Sequence, residues 1–325
     1  MQDAGSPLVY VVVLNYNGTD HLPYCLLSIC ASDYSNLVVL LVDNASSDQS
    51  LALAADFHVR ILRNAKNLGW SGGNNVGIRE ALRANAKYIV LANNDIRVHP
   101  RWIAEAVAVA ESRPDIGVIG FDVHEPQPGS ADQDAGYSAA CQRWSSVEHA
   151  VSSDVGGMAM FVRGVLFEDI GLIDENFFAY GEENDFQIRA RRAGFQISTI
   201  NVPVWHHGVG SFGRTPFRAA LLQTEHNIQL LLKHQGPLKA LSAGFDHLLT
   251  RGIRLKRRPA STAVERRLQS GSRLQATVIL LLASLHILLK SPAILRRRIE
   301  DRERSARVRA RRALSDGRPG NSATS

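Results

Sequence analysis

The strongest constraint on this chain is a series of short, β-branched apolar runs, each cut off by a polar cluster. Leu8–Leu14 (LVYVVVL) stops at Asn15-Tyr16-Asn17-Gly18, Leu37–Val42 at Asp43-Asn44-Ala45-Ser46-Ser47-Asp48, and Tyr88–Ala92 at Asn93-Asn94-Asp95. Runs without polar alternation are the pattern of strands buried on both faces, as in a parallel sheet. Helical patterns lie between them at His21–Ala31, Ser50–Asp56, Val76–Ala84 and Trp102–Glu111, with further strands expected at Val59–Leu62 and Ile116–Phe121. This β-α-β alternation specifies an α/β domain with a mixed, mainly parallel sheet flanked by helices. Ligands bind beyond the carboxyl ends of such strands, so the polar clusters are site candidates by placement.

The remaining motifs follow in order. Asn64–Asn75 is rich in glycine and asparagine and is expected to be a loop opening the helix at Val76. Its glycines would let a ligand approach the backbone, and the helix start would favour anionic groups; a plain flexible loop reads equally well. Pro126–Ser153 is polar and is expected to be a long irregular loop, a candidate lid on the acceptor side. Gly156-Gly157 precedes Glu182, Glu183 and Asp185, three acids in four positions behind Phe177, Phe178 and Tyr180. A helix is expected over Asp185–Ala193 and a strand over Ile197–Val204, leading to His206 and His207.

Each cluster carries a chemical and a structural reading. Asp43 at a strand end can accept from a base or ribose, or build an Asx turn, and Asp48 also fits a helix cap. Asp95 can hold a divalent cation if phosphates and waters complete the shell, or simply belong to a turn. A carboxylate among Glu182, Glu183 and Asp185 can act as a general base, or the three can stabilise a helix start or an ion-pair network with Arg189. Of two adjacent histidines on a strand, one at most faces a given site. Gly208–Gly213 fits G-x-G-x-x-G, but Arg214-Thr215-Pro216 follows it and no acid lies near position 230, so an NAD-dependent enzyme is not favoured.

Charge divides the chain. Residues 1–213 hold 14 Lys and Arg against 24 Asp and Glu, whereas 214–325 hold 23 against 7. The basic portion suggests an anionic surface. Arg296–Arg312 carries nine arginines with no aromatics between them, so nucleic acid is not expected as a partner. Leu274–Leu289 is nearly apolar over 16 residues, short of a hydrocarbon core of ~30 Å at ~1.5 Å per residue. Two readings stand for it: a helix at an anionic cytoplasmic membrane surface, or a helix buried against the domain or a homodimer partner. Cys25, Cys30 and Cys141 form no disulfide framework, and the N-terminus shows no secretion pattern, so a cytoplasmic setting is expected.

Taken in order, the motifs resemble family 2 glycosyltransferases of the GT-A fold, in particular the bacterial rhamnosyltransferase-like branch. The matching stretches are VVVLNYNG (11–18), LVDNASSD (41–48), NLGWSGGNNVGI (67–78), YIVLANNDIRV (88–98), GGMAMFVRGVLFEDIGLIDENFF (156–178), GEENDFQIRARRAGF (181–195) and WHHGVGSF (205–212). The resemblance implies a catalytic domain over 1–213, with a nucleotide-sugar half at about 8–121 and an acceptor half at about 122–213. A helical basic region over 214–312 and a disordered tail over 313–325 would follow. It implies that Asp43 contacts the nucleotide base. Asn15, Asn17, Asn67, Gly72, Asn74, Asn94 and Gly157 would line the nucleotide-sugar. Asn93-Asn94-Asp95 stands where the family has D-x-D, with Asn for the first acid, which leaves Asp95 to contact Mg2+ or Mn2+. Glu183 aligns with the base of the family's E-D motif, Glu replacing Asp, with Glu182 and Asp185 as supports or alternatives. His206 resembles the late histidine that helps hold metal or diphosphate, with His207 as alternative.

The implied reaction is inverting transfer of a sugar, rhamnose being one candidate, from a dTDP- or UDP-sugar to a saccharide or lipid-linked hydroxyl in envelope polysaccharide synthesis. The rival reading is a nucleotide-sugar-binding or scaffold protein with a degraded site.

Overall fold

A computed structural model describes residues 5–126, 135–208, 216–240 and 273–315. The expected strands are present as β1 (Val9–Asn15), β2 (Leu37–Asp43), β3 (Arg60–Arg63), β4 (Tyr88–Asn93) and β6 (Ile116–His124). Shorter strands are β5 (Ile96–Val98), β7 (His149–Val151) and β8 (Ala159–Arg163), and β9 spans Gln196–His206. They form one nine-stranded sheet in the order β3-β2-β1-β4-β8-β6-β9-β5, with β7 also on β9. Strands β1 to β4 pair in parallel, as do β6 and β9. Strand β8 runs antiparallel between β4 and β6, so the sheet is mixed.

Both faces of the sheet are covered, which explains the unbroken apolar runs. In β1, Val9, Val11 and Val13 enter one core with α1 (Leu22–Cys30) and α4 (Trp102–Ser112). Tyr10 and Val12 enter the other with α3 (Gly69–Arg83), α6 (Gly164–Ile170) and α7 (Glu182–Arg192). Full burial of each such Val, Leu or Ile stabilises the fold by about 1.5–3 kcal/mol before entropy is counted.

Three boundaries differ from expectation. Helix α3 starts at Gly69, so Gly72 and Asn74 lie on a helix and not in the expected loop. Its glycines allow close approach: a Cβ on Gly77 would collide with Val12, and one on Gly73 with Leu14. Helix α7 starts at Glu182, three residues early, so all three acids occupy its first turn. The Pro126–Ser153 segment is not irregular throughout: it holds α5 (Ala135–Arg143), packed on β9, and β7. Short α2 (Ser50–Ala54) completes the elements up to β9.

Beyond β9 lie α8 (Pro216–His234) and α9 (Arg273–Ser315), a single 43-residue helix containing Pro292. The two segments expected separately at 274–289 and 296–312 are thus one helix, and its end at Ser315 lies inside the expected disordered tail. Helix α9 packs along α8, α7 and α6, and Val308 joins the core of the sheet face. Residues 209–213 of the glycine motif, the lid tip at 127–134 and residues 316–325 lie outside the described residues.

Candidate active site

The carboxyl ends of β1, β2 and β4 converge through side-chain amides. Asn15 Nδ2 donates to Asp43 Oδ1 at 3.1 Å and to Ser50 Oγ at 2.9 Å, and Asn15 Oδ1 accepts from Asn94 Nδ2 at 2.8 Å. Asp43 also accepts from the Ser46 amide at 3.1 Å and its hydroxyl at 2.5 Å, a side-chain bond three residues on that closes the turn after β2. Asn17 has a positive φ of 53° and accepts from the Ser47 amide. Asp48 accepts from the amides of Thr19 and Ser50, tying the β1 turn to the start of α2.

Asn44, which the sequence reading passed over, organises the next segment. Its Nδ2 donates to Asn67 Oδ1 at 2.9 Å and to the Gly69 carbonyl at 3.0 Å, while its Oδ1 accepts from the Leu68 amide. Gly69 has φ +75° and faces the Phe178 carbonyl at a distance that excludes a Cβ. The Trp70 amide donates to that same carbonyl at 2.7 Å, and Ser71 Oγ to the Phe177 carbonyl at 2.6 Å. The start of α3 and the segment before α7 are therefore stitched together through the Phe177 and Phe178 carbonyls.

Trp70 connects the rest. Its indole Nε1 donates to Asn93 Oδ1 at 3.0 Å. A Cβ on Gly157 would stand 3.2 Å from the Trp70 ring and 3.5 Å from Glu183 Cβ. Glu183, Gly157, Trp70 and the Asn93-Asn94-Asp95 strand end thus form one contiguous wall. Asn74, next on α3, donates to the Trp70 carbonyl, and its buried Oδ1 has no hydrogen bond among the described residues.

At the strand end, Asp95 is buried and its Oδ1 accepts no hydrogen bond among the described residues. His206 Nε2 lies 3.5 Å from that oxygen. The other ring nitrogen, Nδ1, is 3.0 Å from Glu125 Oε1. Burial disfavours a charged His206 ring, but the Glu125 hydrogen bond and the nearby Asp95 more than offset this and raise its pKa. His207 is directed elsewhere: its amide donates to the Asp95 carbonyl, and its ring lies 4.3 Å from that of His21. Among the described residues no three His, Cys, Asp or Glu side chains converge as a cation site. A carboxylate and an imidazole with one orphaned oxygen still suit a divalent cation that draws its other ligands from phosphates and water. Glu125 behind the ring is the kind of outer carboxylate that orients a ligating histidine.

The three acids have different surroundings. Glu183 is partly exposed; its Oε2 accepts from the Gly181 amide at 3.1 Å and its Oε1 from Asn184 Nδ2 at 3.2 Å. Burial raises its pKa, backbone hydrogen bonds oppose the rise, and the charge of Asp154 adds to it. Glu182 is buried with Oε2 unpartnered among the described residues, and burial, then the Glu183 charge, push its pKa well up. Asp185 is fully buried in ion pairs with Arg189 Nε at 2.9 Å and Lys233 Nζ at 2.7 Å, and His234 Nε2 lies at 2.8 Å. Although burial opposes ionisation, these cations hold Asp185 far below the usual carboxylate range. Asp185 is thus a structural support, and Glu183 alone combines a raised pKa with access.

Lys233, His234 and Asp301 were not found from the sequence. They lie 48 or more positions from Asp185 and have no local motif; only the topology brings them together.

A family model described as glycosyl transferase family 2 matches residues 10–167. The chain is 27% identical over 308 residues to the N-acetylglucosaminyl-diphospho-decaprenol L-rhamnosyltransferase of Mycobacterium tuberculosis, covering 79% of this chain and 98% of that protein. It is 28% identical over 207 residues to a low-salt glycan biosynthesis hexosyltransferase of Haloferax volcanii, covering 59% of this chain but only 64% of that relative. Among solved structures, the mannosyltransferase PcManGT from Pyrobaculum calidifontis, in complex with GDP-Man and Mn2+, superposes with a TM-score of 0.54. It is 18% identical, covering 94% of this chain and 88% of that one. S. aureus TarS 1–349 gives 0.51 at 15% identity, covering 96% and 92%. At these identities the structural likeness speaks for the fold.

Proposed function

We propose that the chain, whose residues 10–167 match the glycosyl transferase family 2 model and whose fold is GT-A, is a member of that family and an inverting glycosyltransferase using a nucleoside-diphosphate sugar. One observation carries the reading: Trp70 joins the strand end bearing Asp95 to the wall bearing Glu183.

In this reading the β1, β2 and β4 ends receive the nucleotide, with Asp43, Asn15, Asn17 and Asn94 shaping its pocket. The α3 start, with Asn67, Gly72 and Asn74, borders the sugar. Glu183 takes the proton of the acceptor hydroxyl as that oxygen attacks the anomeric carbon and the diphosphate departs from the opposite face. The anomeric centre inverts and no covalent sugar intermediate forms. Gly157 leaves room beside Glu183 for the reacting sugar. Asp95 and His206 would hold Mg2+ or Mn2+, which when bound supplies positive charge to the leaving diphosphate. Glu125 fixes the His206 ring, and Glu182 supports the helix start.

The mycobacterial relative's name supports a rhamnosyl donor and a lipid-linked acceptor, and the archaeal mannosyltransferase complex supports a nucleotide-sugar and a divalent cation. Helix α9 supports a place at an anionic membrane surface. Val278–Leu314 is long and apolar enough to cross a membrane by length and composition. Its inward face, however, is engaged by protein: Lys290 pairs with buried Glu225 at 2.5 Å, and Arg298 donates to the Leu232 carbonyl at 2.9 Å. The outward face carries Val278, Leu281, Leu282, Leu285, Leu288 and Leu289, at spacings that form one stripe. Such a helix suits lying in the interface, with arginines toward headgroups.

The test is a donor panel of dTDP-rhamnose, UDP- and GDP-sugars with Mn2+, read by thermal shift and then by transfer to lipid-linked saccharides. Glu183→Gln is expected to abolish transfer, a loss of about 10²–10⁴-fold, with donor binding intact. Full residual activity would remove Glu183 as the base, and no binding of any donor would sink the reading.

A further inference from the structure

Helix α8 lies beyond the family-matched residues, yet one of its faces holds the segment that launches α7. His226, Leu230 and Lys233 stand at i, i+4 and i+7 on that face. His226 Nδ1 is 2.5 Å from the Ala179 carbonyl and 2.9 Å from that of Tyr180, donating to both, and its ring meets Phe177 edge-on at 5.3 Å. Leu230 packs where a Cβ on Gly181 would approach its Cδ1 at 3.0 Å. Lys233 Nζ reaches Asp174 at 2.7 Å, Asp185 at 2.7 Å and Asp301 at 2.8 Å. Asp174 accepts a hydrogen bond from this ammonium, and Asp185 and Asp301 are its ion partners.

The held segment is strained at one point. Tyr180 has φ +72° and Gly181 φ +92°, two left-handed residues in succession immediately before the acids. A residue with a Cβ enters that region only when its surroundings impose it. This turn presents the Gly181 amide to Glu183 Oε2. The Tyr180 carbonyl, on the other side of the same peptide, is the one His226 holds.

We propose that α8 is the template for the catalytic turn, with His226 and Lys233 as positioning residues that set Glu183 through Tyr180, Gly181 and Asp185. The inference rests on the reading of Glu183 as the base. His226 fixes the turn, and Lys233 fixes both ends of the 174–185 segment and fastens them to α9.

The test is His226→Ala in the full chain, read by kinetics and by amide hydrogen exchange. Transfer kcat is expected to fall at least tenfold while donor KM stays within twofold. Exchange of amides 177–184 is expected to speed at least tenfold while β1 and β4 stay protected. His226→Asn, which keeps an N–H near the position of Nδ1, is expected to recover part of kcat. Should His226→Ala fail to fold, Leu230→Ala, which frees Gly181 without removing a polar partner, is read in the same way. Unchanged exchange over 177–184, or kcat and KM moving together, overturns the inference. If no nucleotide-sugar supports transfer by the unaltered protein, the functional reading fails separately, and the exchange measurement still decides whether α8 sets the turn.

Discussion

The Trp70 indole donates to Asn93 Oδ1 at 3.0 Å, and through this one bond the first turn of α3 is registered against the end of β4. Asn93 precedes Asp95 by two positions, and the benzene part of the Trp70 ring lies beside Gly157, which has Glu183 as its other neighbour. A displacement of the ring would therefore be felt at both ends of the site.

Trp70→Phe keeps a large ring but removes the donor and leaves the Asn93 oxygen unpaired. A lost hydrogen bond of this kind costs about 0.5–1.5 kcal/mol. We expect kcat/KM to fall by about 3- to 10-fold with the fold intact, as judged by circular dichroism and steady-state kinetics. Gly157→Ala is expected to impair acceptor use more than donor binding, because the new Cβ would press between Trp70 and Glu183.

Cation binding should depend on Asp95 and on the carboxylate behind His206. Titration calorimetry of Mn2+ in the presence of UDP is expected to show loss of the cation by Asp95→Asn. Glu125→Gln, which leaves the ligands but loosens the ring, is expected to weaken affinity about 10- to 100-fold. Equal affinity in all three proteins would show that the cation, if bound, sits elsewhere.

The pH dependence follows from the surroundings of Glu183. A base must be ionised, so the rate rises as pH climbs through its pKa. Burial raises that pKa, which places the acid limb of kcat/KM above the ordinary glutamate value of about 4.3. The Asp154 charge contributes to the rise, so Asp154→Asn is expected to move the limb to lower pH. A limb that stays fixed would mean that another group titrates.

Glu182 gives a stability prediction of opposite sign to the usual loss on mutation. Its folded-state pKa is raised, so its stabilising state is the protonated one, fully present below the unfolded pKa and lost as pH rises through the folded pKa. Glu182→Gln keeps the shape without the charge. Its Tm is expected to exceed that of the unaltered protein at pH 8, by about 2–4 °C for each kcal/mol of relief, and to differ little at pH 4. Asp185 behaves inversely: its stabilising contribution is present above the unfolded value and is lost as pH falls toward its depressed one.

The outward stripe of α9 is expected to hold the protein on vesicles containing anionic lipid and not on neutral ones. Leu285→Glu with Leu288→Glu is expected to abolish flotation with such vesicles while leaving donor binding unchanged. Retained flotation would remove the stripe as the membrane contact, and a stable dimer in solution that the same changes dissociate would assign it to a second copy.

Much of the fold was legible because it depends on local pattern. Apolar runs such as Val9–Leu14 identify strands buried on both faces, and the polar residues at their ends mark the rim where a ligand binds. The Asn64–Asn75 segment misled because glycine and asparagine are poor helix formers; here Gly73 is required by contact with Leu14, so packing overrode propensity. The three acids looked equivalent in sequence because what separates them is distant. Asp185 is neutralised by Lys233 from another helix, whereas Glu182 Oε2 has no partner among the described residues. Asn44 and Glu125 were missed because their partners are distant in sequence: Asn67, Leu68 and Gly69 for Asn44, and His206 for Glu125.

The buried ionic cluster also bears on how such chains can be cut and recombined. A fragment ending near residue 213, where the family motifs stop, would keep Asp174 and Asp185 but lose the ammonium between them, and would bare the wall that Val308 covers. The C-terminal arm is therefore not a cassette to be exchanged between relatives at the motif boundary. A working chimera would have to carry Lys233, His234 and Asp301 together with the acids they meet.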